Sequence, residues 1–91
     1  MRILAPFFLL LASLLAQGTP ADDRIYDEVR RKLALDRDVG GGVYEVTVKN
    51  GAVLLKGRVR TEKMKEKAEK IVRKVKGVTA VTNQLEVRLT A

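Results

Sequence analysis

The chain has 91 residues, with 18 Lys+Arg against 11 Asp+Glu, no histidine and no cysteine. These counts exclude a disulfide framework, a lipid anchor carried on cysteine, and imidazole or thiol chemistry, so the fold must hold together by packing alone. The basic excess points to anionic partners and is silent about fold.

Met1-Arg2 is a short basic start, followed by the uncharged run Ile3 to Ala16, ILAPFFLLLASLLA. A membrane span needs about 20 apolar residues; this run is shorter, contains Pro6 and leads into QGTPADD. It reads as a secretory signal peptide over residues 1–21, with the periplasm as the expected location. Small residues precede two cleavage points, after Gly18 or after Ala21, and both remain open. Residues 22–91 then make one small domain of about 70 residues, near the size where a single core becomes marginal. One layer of helices on one sheet is what such a length can build.

Asp22-Asp23 offers helix N-caps, and in the following RIYDEVRRKLAL the residues Ile25, Val29 and Leu33 form an apolar stripe with Tyr26 beside it. The pattern ends after Leu35. Gly40-Gly41-Gly42 is expected to be a flexible connection. It lacks the lysine and Ser/Thr of a phosphate-binding loop, and a strand follows it.

In VTVKNGAVLLKGRV, Asn50-Gly51 between two alternating runs signals a two-residue type I′ hairpin, whose central residues need positive φ. Counting outward pairs Lys49 with Ala52, Val48 with Val53, Val46 with Leu55 and Tyr44 with Gly57. That places Val46, Val48, Val53 and Leu55 on a covered face, with Tyr44 lying across the space Gly57 leaves open. Thr47 and Leu54, Glu45 and Lys56, and Val43 and Arg58 pair on the other face, which is mixed in polarity and turned to water.

Thr61 is the expected cap of a second helix, EKMKEKAEKIVRKVK, with Met64, Ala68, Ile71, Val72 and Val75 inward and Gly77 at the C′ position. TAVTNQLEVRLTA then alternates Leu85, Val87 and Leu89 against Gln84, Glu86 and Arg88, a third strand. The predicted fold class is α+β, in the order α-β-β-α-β, with a three-stranded mixed sheet and both helices packed on one face. Strand order stays undetermined.

The series D-x-x-I-x-x-x-V (Asp22 to Val29), V-x-V-x-N-G-x-V-x-L-x-G-x-V (Val46 to Val59) and G-V-x-x-V-x-N-x-L-x-V (Gly77 to Val87) resembles the BON domain. The resemblance spans essentially all of residues 22–91. It implies an α-β-β-α-β module of bacterial envelope proteins, associated with phospholipid surfaces or with envelope maintenance under osmotic stress. The shared positions are glycines and apolar residues, so no catalytic set comes with it. Family members often carry two such domains, and this chain has one copy.

No enzyme is expected: His and Cys are missing, and no Ser lies after residue 13. No cofactor or metal is expected either. Asp22, Asp23 and Asp27 are explained by capping and the helix dipole, and Asn50, Gly51, Gly57 and Gly77 by turns and packing. Asn83 is assigned a hydrogen bond near the last strand. The candidate contact set is Lys63, Lys67, Lys70 and Lys74, which fall along one flank of the second helix within about 60° of one another. Such a row suits an anionic phospholipid surface. It also fits the plainer account of a solvated face with Glu66–Lys70 and Glu69–Arg73 pairs. The alternative is an interaction or chaperone-like module that binds envelope proteins through a sheet edge or the face at Val43, Leu54 and Arg58. Nucleic acid is not expected, because a stacking platform needs exposed aromatics and both tyrosines are assigned to covered positions. The oligomeric state is open.

Overall fold

The computed structural model describes residues 19–88. The apolar leader and Leu89 lie outside the described residues. The chain runs α1 (Pro20–Leu35), β1 (Val43–Lys49), β2 (Ala52–Val59), α2 (Glu62–Arg73) and β3 (Ala80–Val87). This is the predicted α-β-β-α-β order. The sheet order is β1-β2-β3, with β1 antiparallel and β3 parallel to β2. The tight hairpin occupies one edge of β2, so the strand returning from α2 takes the other.

The hairpin register is the one counted from the turn, from Val43–Arg58 through Lys49–Ala52. Asn50 and Gly51 have φ of 51° and 82°, as a type I′ turn requires. Gly57 sits opposite Tyr44 with φ of 130°, and a Cβ there would strike the Val43 carbonyl. Its need is thus the close approach of backbone, and not room for a ring as the pairing suggested. The Tyr44 ring instead leans over Gly42, leaving no space for a side chain there.

Both helices cover one face. Ile25, Val29 and Leu33 of α1, Val46, Val53, Leu55, Val59 and Leu85 of the sheet, and Ala68 and Val72 of α2 share one buried core, with α1 packed chiefly on β1 and α2 on β3. Val75 and Val39 complete it, each almost fully buried although they lie outside the helices.

Four local expectations are corrected. Helix α1 begins earlier than Asp22: Thr19 is its N-cap, with Oγ1 accepting from the Asp22 amide at 3.1 Å, and Pro20 opens the first turn. Asp22, released from capping, is 5 % exposed and reaches the hairpin, where its two oxygens accept from the amides of Asn50 (2.9 Å) and Gly51 (3.0 Å). Helix α2 keeps its Thr61 cap but ends at Arg73, so Gly77 is not its C′ residue. Gly77 has φ of 96° in a separate turn closed by the Val78 amide on the Val75 carbonyl at 3.2 Å, the position where such a turn needs glycine.

The glycine loop after α1 is built, not loose. Asp36 Oδ1 accepts from the amides of Asp38 (2.8 Å) and Val39 (3.2 Å), Gly40 donates back to the Asp36 carbonyl, and Val39 plugs the core. The Tyr44 hydroxyl donates to the Val39 carbonyl at 2.6 Å. Burial, with the Asp36 charge nearby, pushes this phenol up to about 12. Tyr26 is also reassigned: it is 37 % exposed, with the Arg30 guanidinium 5.7 Å from its ring centre. It lies on α1, so the open sheet face still presents no aromatic side chain among the described residues.

Candidate binding surface

Helix α2 carries Lys63, Lys67 and Lys70, and Lys74 is its C-cap residue. Lys63, Lys70 and Lys74 are exposed. Lys67 is different: its ammonium bonds the Asp38 carboxylate and stands 3.5 Å from Asp36. The Asp38 hydrogen bond raises the Lys67 pKa, and the Asp38 amide, helped by Lys67, lowers that of Asp36. Three members of the row face solvent, and the fourth fastens α2 to the loop after α1.

The expected Glu69–Arg73 pair is present at 2.6 Å, and Arg73 together with Asn83 lowers the Glu69 pKa. Asn83 works harder than its assignment implied. Its amide donates to the Lys65 carbonyl (2.9 Å) and to Glu69 (3.2 Å), while its oxygen accepts from Leu85 N (3.2 Å), tying β3 to α2. Among the described residues neither Glu66–Lys70 nor Glu45–Lys56 forms an ion pair.

The two helices pass in opposite directions and leave a groove along their seam. One end, of about 360 Å³, is lined by Arg31, Lys32, Leu35, Asp36, Ile71 and Lys74. It continues past Lys32 and Lys74 to a part of about 280 Å³ lined by Arg24, Glu28, Val75 and Lys76. The acids along it are already engaged: Glu28 pairs with Arg31 at 2.8 Å and approaches Lys32 at 3.8 Å, and Asp36 serves its own turn and Lys67. Among the described residues Arg24, Lys63, Lys70, Lys74 and Lys76 have no ion-pair partner. Sequence reasoning saw the α2 lysines and missed the half of this surface that α1 supplies. The signal was there, since Arg24, Glu28, Arg31 and Leu35 recur at helical spacing along one flank of the core stripe.

This surface holds cations and aliphatic carbon. Among the described residues no group of three His, Cys, Asp or Glu could hold a metal ion, and no helix is long and apolar enough to cross a membrane. Fold and surface together define a small basic α+β domain. The family model for the BON domain matches residues 21–88, and the chain belongs to the BON domain family. No curated protein sequence matches it. BON domains are known as phospholipid-binding modules of envelope and stress proteins, generally non-enzymatic, that bind membranes or other proteins.

Proposed function

We propose that this is an exported periplasmic protein, cleaved after its signal peptide, whose BON domain associates with anionic phospholipid and serves envelope maintenance or osmotic stress without catalysing a reaction. The observation that carries the reading is the set of cations on and beside the helices, Lys63, Lys70 and Lys74 joined by Arg24 and Lys76, that are exposed and have no ion-pair partner among the described residues. Near an anionic bilayer each such cation contributes about 1 kcal/mol, within a Debye length of about 8 Å at physiological salt. Binding is therefore weak and falls as salt rises.

Co-sedimentation of the mature protein with phosphatidylglycerol vesicles and with phosphatidylcholine vesicles tests it. Binding to the first alone, weakened by Lys63→Gln, Lys70→Gln and Lys74→Gln together with an unchanged circular dichroism spectrum, supports the reading. Equal binding to both, or none to either at low salt, overturns it. Lys67 is left intact because its loss would loosen the loop at Asp36 and Asp38.

The other reading, a module that binds envelope proteins, draws on the open sheet face, where Val43 is 58 % exposed on edge strand β1 beside Arg58. A partner captured at high salt, lost with Leu54→Lys and kept by the three-lysine variant, favours it over the lipid surface.

A further inference from the structure

Leu35 is 71 % exposed, the most exposed large apolar side chain among the described residues. It is the last residue of α1, two positions past the buried Leu33, and points away from the core. A lone exposed leucine is ordinary. This one shares its groove with the half-buried Ile71, and Arg31, Lys32 and Lys74 surround the pair. Aliphatic carbon ringed by long cations is the pattern an interface between headgroup and acyl chain rewards, because the carbon enters the chains while the ammonium and guanidinium groups stay level with phosphate. Glu28 and Asp36, the acids of that groove, are held by Arg31 and Lys67, so they offer little repulsion to an anion.

We infer that the domain docks on the bilayer through the seam end, with Leu35 entering the acyl-chain region beside Ile71, and Arg31, Lys32 and Lys74 meeting headgroup phosphates. This rests on the phospholipid reading above and adds an orientation and an anchor to it. The open sheet face, with Val43, is then turned away from the membrane and stays accessible. Anchor and charge act together, since one leucine is too small to hold a protein on a bilayer alone.

The chain has no tryptophan, so Leu35→Trp installs a single indole reporter. On phosphatidylglycerol vesicles its emission should shift to the blue and be quenched by lipids brominated near the top of the acyl chain. Val43→Trp, on the opposite face, should show neither effect. Leu35→Ala should lower the vesicle partition coefficient by about five-fold at unchanged net charge. Co-sedimentation without quenching at position 35, or quenching at 43 in its place, overturns the orientation while the phospholipid reading stands. An equal blue shift with polyglutamate, an acidic polymer without acyl chains, overturns the lipid anchor in favour of an acidic protein surface. Absence of binding to anionic vesicles at low salt removes both readings.

Discussion

Asp22 is the residue whose substitution tests the fold most directly. Its carboxylate is buried beneath the hairpin and holds the amides of Asn50 and Gly51 at 2.9 and 3.0 Å. In Asp22→Ala the Asn50 amide, on an exposed residue, can turn to water, while that of buried Gly51 cannot. A hydrogen bond to a charged group contributes about 1.5–3 kcal/mol, and a stranded buried donor costs about 1–3 kcal/mol. Because the two bonds share one carboxylate, their losses do not add fully, and Asp22→Ala should destabilise the domain by about 2–4 kcal/mol. A domain of this size has roughly 4–10 kcal/mol in all. The loss translates into a fall in Tm of about 10–25 °C. Asp22→Asn retains one oxygen acceptor and should lose about half as much. Asp23→Ala, an exposed neighbour in the same first turn, should stay within about 1 kcal/mol, the size of a helix-dipole contribution. Urea unfolding followed at 222 nm gives these differences, with unchanged m values showing that only stability moved. An Asp22→Ala midpoint indistinguishable from the parent, or equal damage from Asp23→Ala, would refute the role given to this carboxylate.

Gly57→Ala should be more disruptive than a one-methyl change on an exposed strand, by about 2–4 kcal/mol, because φ of 130° and the Val43 carbonyl both exclude a Cβ; thermal unfolding close to that of the parent would contradict this account of the β1–β2 pairing. Tyr44 supplies an alkaline test: its folded pKa of about 12 lies above the ordinary 10.0, so ionisation favours the unfolded chain. The stability it contributes is complete below pH 10 and lost as pH climbs toward 12. Tyr44→Phe should lower stability by about 1 kcal/mol at pH 7 through the lost bond to the Val39 carbonyl. It should also flatten the decline between pH 10 and pH 11.5, whereas parallel declines in urea titrations of the two proteins would count against the burial of the hydroxyl.

Local chemistry alone determined the elements and the hairpin register. Alternation with period two, helical spacing of Ile25, Val29 and Leu33, and the positive-φ demand of Asn50-Gly51 are properties of neighbouring residues, so they were legible before any contact was known. The same holds for the sorted lysines of α2. What only the tertiary structure decided were choices between partners far apart in the chain. Asp22 abandons the cap it could have formed because the hairpin brings two amides 28 and 29 residues away to its carboxylate, and Thr19 takes its place. Lys67 leaves the cationic row because the loop after α1 returns with Asp36 and Asp38, and Gly57 is required by the Val43 carbonyl across the ladder. The groove that joins Arg31, Lys32 and Leu35 to Ile71 and Lys74 exists only once two helices distant in sequence pack on one face of the sheet. Helical periodicity assigns a residue to a face, but it cannot say what the neighbouring helix brings to that face.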